Sequence, residues 1–417
     1  MHASRLLFLF NAALSCGLAL FLGLAVPAAA KEKAPARPLL SADFERDPLK
    51  SGWTQDVLNE DDEFTGAWSH RDSVSGIYSI EVTKGVWHSP SFPVKPGEYY
   101  RLRFASKTAV PGLWAGMFFG QYEDVLAVDV YDRIEVSEDW STQEFCFRAP
   151  PGAVTGRIRF QPTTKTLHVD DVSVEKNDRA AVGEWQDGVA AANPLLRYVP
   201  PDARWKHLAK TLEKLRSGGK LRIVLLGDSI INDTCNSMFE VLLERKYPGA
   251  QIEVIPSVRG GTGCGYYKEE NRVADYVLRY KPDLLVIGGI SNGYDAENVR
   301  TVIHQVRAKM QPEILVMTGP VAPEEFSKDG FLRYLPPPAK GQALENFEKY
   351  NARLGRMSRQ EKVEFLDIRA AWNQYIWQSP RPQEWFMRDV VHSNSRGKQV
   401  LARILLRYFE PREEDEP

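Results

Sequence analysis

The chain has little cysteine, little histidine and almost no net charge. Four cysteines in 417 residues are too few for a disulfide scaffold. The 53 basic and 55 acidic side chains leave a formal charge of -2. That excludes both the basic footprint of a nucleic-acid binder and a strongly acidic binding surface. Beyond the N-terminus no apolar run is long enough to span a bilayer, and no internal repeat appears. With only seven histidines, an imidazole three residues from an acid carries more weight than it would elsewhere. The length suggests two or more domains.

Residues 1–30 read as a secretory signal. Arg5 gives a positive start, an apolar stretch runs from Leu6 to Val26, and Ala28-Ala29-Ala30 supplies small residues before Lys31. The stretch could also serve as an uncleaved anchor, but Asn11, Ser15 and the Ala-rich exit favour cleavage. A secreted or periplasmic protein is expected, free of the membrane once cleaved. Cleavage leaves Cys146, Cys235 and Cys264. Cys235 and Cys264 fall in segments around one candidate serine, so they either pair in an oxidising compartment or remain partly buried thiols.

Residues 31–38 form a charged, Ala/Pro-rich linker. From 39 to 176 the texture is all-β. Alternating runs such as Tyr99-Tyr100-Arg101-Leu102-Arg103-Phe104 and Gly156-Arg157-Ile158-Arg159-Phe160 are separated by turn signals such as Lys95-Pro96-Gly97-Glu98. This argues for a sandwich or jelly roll. Residues 177–201 are polar, Ala-rich and Pro-containing, and read as a connector. The segment 202–412 then alternates strands and helices. Its strand candidates are Leu221–Leu226, Ile252–Pro256, Leu284–Ile287, Ile314–Thr318 and Val363–Leu366. A helix is expected over 202–217, with Trp205, Leu208, Leu212 and Leu215 at helical spacing and Gly218-Gly219 as its stop. The pattern is that of a parallel sheet covered on both faces. Residues 413–417 are an acidic, solvated tail.

Two short motifs carry the chemistry. Gly227-Asp228-Ser229 ends the apolar run Arg222–Leu226 and precedes a helical segment, which puts a serine where ligands gather in parallel sheets. Asp389-Val390-Val391-His392 places a carboxylate and an imidazole on one side of a turn. Ser229, His392 and Asp389 together supply a nucleophile, a base and an orienting acid. Two further loops offer oxyanion donors, Val258-Arg259-Gly260-Gly261-Thr262-Gly263 and Gly288-Gly289-Ile290-Ser291-Asn292. Taken singly, each of these motifs reads better as a tight turn, a helix cap or a salt-bridged loop.

The order Gly-Asp-Ser, Gly-rich loop, Gly-to-Asn loop and Asp-x-x-His resembles the SGNH, or GDSL-type, hydrolase family over roughly Asp202 to Phe409. The resemblance implies an α/β flavodoxin-like three-layer domain after the N-terminal all-β jelly-roll sandwich. It implies Ser229 as nucleophile, His392 as base and Asp389 as its orienter. The oxyanion hole would be the Ser229 and Gly260 backbone N–H groups and the Asn292 side chain. The chain departs from the family at Ile290-Ser291-Asn292-Gly293, where Gly-x-Asn-Asp is usual, and at Ser393, where Pro or Leu is common. Gly261 replaces Gly260 as donor if the loop shifts by one.

The N-terminal region resembles carbohydrate-binding-module-like jelly rolls. The matching stretches are Asp43-Phe44-Glu45, Ser75–Ile80, Pro96–Tyr100, Asp139-Trp140 and Val169–Val174. Such modules often hold a structural calcium between an early and a late acid, which would be Glu45 and Asp170 here; ordinary surface acids are the alternative. Of its five tryptophans, Trp53 and Trp140 fall at core-like positions. Trp87 and Trp114 have glycine and polar neighbours and are the candidates for stacking on sugar. No cofactor is expected. The function implied is a secreted serine esterase that removes O-acetyl groups from a polysaccharide through an acyl-enzyme. An O-acyltransferase with the same triad and a non-catalytic glycan-binding protein are the rivals. The long, Pro-containing loop 321–340 has no role assigned.

Overall fold

Alternation of period two builds the first half of the chain. In the computed structural model, the described residues are 37–411 apart from 123, 125, 127, 322–325, 328–329 and 332–336. The expected signal, most of the linker, the acidic tail and most of the 321–340 loop therefore lie outside them. Among the described residues no helix is long and apolar enough to cross a membrane.

Twelve strands form two antiparallel sheets: β1 (Leu40–Ala42), β2 (Thr54–Asp56), β3 (Thr65–Ser69), β4 (Ser79–Lys84), β5 (Val86–His88), β6 (Phe92–Pro93), β7 (Tyr99–Thr108), β8 (Gly112–Phe119), β9 (Val130–Ile134), β10 (Ser137–Arg148), β11 (Thr155–Gln161) and β12 (Leu167–Asn177). One sheet runs β10-β7-β12-β4-β3 with β1 on β12, and the other runs β2-β5-β11-β8-β9 with β6 on β11. In β11 the alternation is strict: Gly156, Ile158 and Phe160 are buried and the residues between them are not. The core is aromatic. Phe104 meets Phe160 edge-on with ring centroids 4.9 Å apart, and Trp114 tilts against Phe145 at 5.0 Å.

This packing corrects the tryptophan assignment. Trp87 and Trp114 are 0% and 1% exposed, so neither offers a face to a sugar. Their glycine neighbours serve the backbone, and strand alternation turns both rings inward. Trp53 is core as expected, at 2% exposure. Trp140 is only partly buried and donates from Nε1 to Asp72 Oδ1 at 2.7 Å. Glu45 and Asp170 both clasp the loop 74–78. Glu45 Oε1 accepts the Ile77 and Tyr78 N–H groups at 2.7 and 2.8 Å, and Asp170 Oδ2 accepts those of Val74 and Ser75 at 3.0 and 3.3 Å. Both carboxylates thus serve N–H donors of one loop, and no cluster of three metal-binding side chains stands among the described residues.

The second half is α/β. Strands β13 (Lys220–Gly227), β14 (Gln251–Val258), β15 (Leu284–Ile287), β16 (Glu313–Met317) and β19 (Glu364–Leu366) form a parallel sheet in the order β14-β13-β15-β16-β19. A short hairpin, β17 (Phe326–Ser327) with β18 (Gly330–Phe331), stands apart from it. Alternate strand residues enter two different cores. Leu221, Ile223 and Leu225 face α2 (Ala209–Ser217), α3 (Ser229–Cys235), α4 (Phe239–Lys246), α9 (Ile368–Gln378) and α10 (Ser395–Phe409). Val224 and Leu226 face α5 (Cys264–Tyr267), α6 (Arg272–Tyr276), α7 (Ala296–Arg307) and α8 (Pro337–Glu361). The strand order reverses between β13 and β15, the place where a doubly wound sheet opens a crevice.

Two sequence expectations change, and one open alternative closes. The helix expected over 202–217 begins only at Ala209, because Trp205 sits at φ +74° and its indole is drawn off to the Tyr408 carbonyl at 2.8 Å. The 177–201 stretch carries a 13-residue helix, α1 (Arg179–Ala191), capped by Asp178. Its Val182 packs with Tyr99 and Cys146 of the sandwich and Met238 and Val241 of the α/β half, so it wedges between the two. Finally, all three described cysteines are buried free thiols. Cys235 and Cys264 belong to cores on opposite faces of the parallel sheet, which rules out their pairing. Burial pushes the Cys146 and Cys264 thiols up to about 12.

Candidate active site

The site begins where β13 stops. Gly227 pairs with Val258 at the end of β14, and the chain then turns at Asp228 into α3. Asp228 is buried and holds that turn to its neighbour. Its Oδ1 accepts the Ile230 N–H at 3.0 Å and caps α3, while Oδ2 accepts the Ile290 and Ser291 N–H groups at 2.7 and 2.8 Å. Burial raises the Asp228 carboxyl, and the bonds from Ser291, Ile290 and Ile230 oppose that only in part. Gly289 is needed for this arrangement. It sits at φ +100°, and a Cβ there would lie 2.4 Å from Asp228 Oδ1.

Ser229 is the first residue of α3, so its N–H has no partner within the helix. Its hydroxyl lies 2.8 Å from His392 Nε2. On the other side of the ring, Nδ1 lies 2.8 Å from Asp389 Oδ2 and 3.0 Å from Oδ1. The three side chains come from the end of β13 and from the turn before α10, and form one hydrogen-bonded chain. Asp389 Oδ1 also accepts the Val391 and His392 N–H groups, both at 2.8 Å, so the carboxylate shapes the turn that it serves. Burial acts to raise the Asp389 carboxyl, but the bond and charge of His392 and the Arg388 guanidinium outweigh it and hold it at about 2.

The turn itself is closed by a bridge between Met387 and Ser393 and by the Arg388 N–H on the His392 carbonyl at 2.9 Å. Arg388 and Asp233 fasten it to α3. Arg388 donates to Asp233 Oδ1 at 2.6 Å, and Asp233 Oδ2 accepts the Ser393 N–H at 2.9 Å. Both side chains are buried, so the pair anchors His392 to the helix that starts with Ser229. Sequence reading missed Arg388, Asp233 and the Asp228 clasp.

The oxyanion candidates are placed as follows. The Gly288-to-Asn292 loop is tied by two bonds to the residue before Ser229. Asn292 is buried, and its Oδ1 accepts the Cys264 N–H at 2.8 Å. Gly260 lies in the loop after β14, with the Arg259 N–H on the Gly227 carbonyl at 3.1 Å. A Cβ at Gly260 would meet nothing within 4 Å, so the bare backbone there faces open space. Gly261, the alternative donor, is the one held at positive φ, +63°. Chemically, the arrangement can polarise the Ser229 hydroxyl, accept its proton at Nε2 and offer N–H groups to a developing anion.

No family model matches the chain, and no curated protein does. Among solved structures, it is similar to a two-domain esterase active on acetylated mannans, at 16% identity and TM-score 0.37, over 51% of this chain and 55% of that one. It is similar to the CBM22-1 xylan-binding domain from Paenibacillus barcinonensis at 14% identity and TM-score 0.26, over 34% of this chain and 94% of that one. A gut microbial diltiazem-metabolizing enzyme matches at 19% identity and TM-score 0.36, over 45% of this chain and 46% of that one. The chain thus spans about half the length of both enzymes that it matches, and at these scores the likenesses decide nothing about its chemistry.

Proposed function

We propose that this chain is a secreted or periplasmic serine esterase of the SGNH type, built on a flavodoxin-like sheet and joined to a carbohydrate-binding-module-like jelly roll. Its substrate would be an O-acetylated polysaccharide. One observation carries the reading: the hydroxyl of Ser229, the imidazole of His392 and the carboxylate of Asp389 share an unbroken chain of bonds of 2.8 Å at the carboxyl end of a parallel sheet. Ser229 attacks the ester carbonyl as His392 Nε2 takes its proton, and Asp389 holds Nδ1 and the imidazolium that forms. The Ser229 and Gly260 N–H groups and the Asn292 amide receive the oxyanion. As the ester C–O bond breaks, His392 gives its proton to the leaving sugar oxygen, and water repeats the sequence on the acetyl-enzyme.

The fused sandwich is what supports a glycan substrate, as an association between domains. Acetate release from a panel of acetylated polysaccharides and synthetic esters tests the proposal. Ser229→Ala should lower kcat on the order of 10⁴-fold or more with the fold intact, and His392→Ala by a similar factor, because the groups act as a unit. Acetate released by Ser229→Ala at the wild-type rate would overturn the assignment.

A further inference from the structure

One stretch of the sandwich, β9 and the residue before it, touches every segment that carries a triad residue. The carbonyl of Asp129, just before β9, accepts from Asn232 Nδ2 at 2.7 Å; Asn232 lies three residues along α3 from Ser229. The ring of Tyr131 on β9 lies under the Arg388 guanidinium, 5.5 Å from centroid to Cζ, and Arg388 is the residue next to Asp389. Asp132, the next residue, reaches the start of α10, three residues after His392. Its Oδ1 accepts the Ser395 N–H at 2.9 Å, and its Oδ2 accepts the Ser395 hydroxyl at 2.8 Å and Lys398 Nζ at 2.9 Å.

Asp132 is 3% exposed and Lys398 is equally buried, so this is a desolvated pair and not a rim contact. A carboxylate at a helix N-terminus is favoured by the unpaired N–H groups and the dipole there. Asn394 caps the same helix through the Gly397 N–H at 3.2 Å, leaving the Ser395 N–H for the sandwich. The contacts continue along the strand: Arg396 pairs with Glu135 at 2.7 Å, and Arg133 donates to the Glu384 carbonyl at 3.4 Å. A helix that starts three residues after the imidazole sets where that imidazole can stand.

We infer that β9 of the sandwich is a template for the triad, with Asp132 as a positioning residue that fixes His392 against Ser229. The inference rests on the esterase reading for the roles of these groups. It makes the N-terminal region part of the catalytic unit and not only a tether to substrate. Asp132 touches neither substrate nor reacting atoms; it acts through the first turn of α10.

The test uses the full chain. The rate at which a fluorophosphonate labels Ser229 is measured for wild type, Asp132→Asn, Tyr131→Leu and the control Glu240→Gln, whose partners lie on another part of the interface. Each sample is assayed at a temperature where melting shows it fully folded. Labelling should slow at least tenfold in Asp132→Asn and several-fold in Tyr131→Leu, and stay within twofold in Glu240→Gln even where its Tm falls as far. Equal labelling of wild type and Asp132→Asn, or equal slowing in the control, overturns the template. Should Asp132→Asn fail to fold, Tyr131→Leu decides by the same thresholds. The ¹⁵N signal of the His392 imidazole is read alongside. A shift in Asp132→Asn and none in Glu240→Gln supports positioning even where wild type takes no label, a result that would instead remove Ser229 as nucleophile.

Discussion

Two buried ion pairs join the sandwich to the α/β half, and they serve different ends. Arg148 on β10 pairs with Glu240 on α4, and Glu240 Oε1 also accepts the Tyr99 hydroxyl at 2.9 Å. Asp132 on β9 pairs with Lys398 on α10 at 2.9 Å. Both sit out of water and cost desolvation that only good geometry offsets. The first lies among Tyr99, Val182 and Met238, where α1 wedges the halves together, and reaches only the far end of α3 through the Cys235 carbonyl at 3.5 Å. The second lies behind the turn that carries Asp389 and His392. The same physical device therefore stabilises an interface in one place and places a side chain in the other.

The largest effect expected in stability comes from breaking the first pair. Glu240→Ala should destabilise the chain by about 3–5 kcal/mol, because it leaves the Arg148 guanidinium buried and alone. The paired change Arg148→Met with Glu240→Leu should recover most of that loss. Denaturant melts of the three proteins decide this. If the double variant is as unstable as the single one, the pair is more than an offset charge couple.

A smaller effect separates the sandwich from the site by pH. Burial, with the Arg159 and Arg157 guanidinium groups nearby, pushes the His88 imidazole down from 6.5 to about 4. Between those values the unfolded chain binds a proton that the folded chain refuses. Stability should therefore fall as pH drops from about 6.5 to about 4, and His88→Gln should flatten that limb. A flat melting profile across this range in wild type would show that His88 is not held neutral.

The smallest effect belongs to Asp389. Its folded carboxyl rests at about 2, below the ordinary 3.8, so its contribution is present above pH 3.8 and is lost as pH falls through about 2. Its side chain is 42% exposed, so solvent screening keeps the energy small. Asp389→Asn should remove this acid limb and leave the His88 limb in place. Persistence of the lower limb in that variant would assign it to another carboxylate.

Much of the fold could be read from the sequence where local pattern and burial agree. Leu284–Ile287 is a strand with the expected bounds, and the other four parallel strands differ by one to three residues at their ends. Continuous apolar runs bounded by glycine leave few alternatives. Trp87 and Trp114 misled because neighbouring glycines suggest an open surface, whereas side-chain direction in a strand follows register and not composition. Helix α1 was hidden because its burial comes from two different halves of the molecule, so it lacks a single apolar stripe. Of the site, Ser229, His392, Asp389 and the Asn292 loop could be picked out because their chemistry is unusual in type and spacing. Arg388 and Asp233 could not, because a buried ion pair between residues 155 apart leaves no local mark.

By itself, the sequence determined the alternation of a β region with an α/β region and the residue types able to form a serine-based site. Backbone geometry and apolar periodicity act over a few residues, and those are the scales on which a sequence speaks plainly. Only the tertiary structure decided that the Ser229 hydroxyl and the His392 ring stand 2.8 Å apart, that Cys235 and Cys264 stay on opposite faces of the sheet, and that β9 lies behind the triad. Those outcomes depend on how two cores and one interface close together, and no segment of the chain carries that information alone.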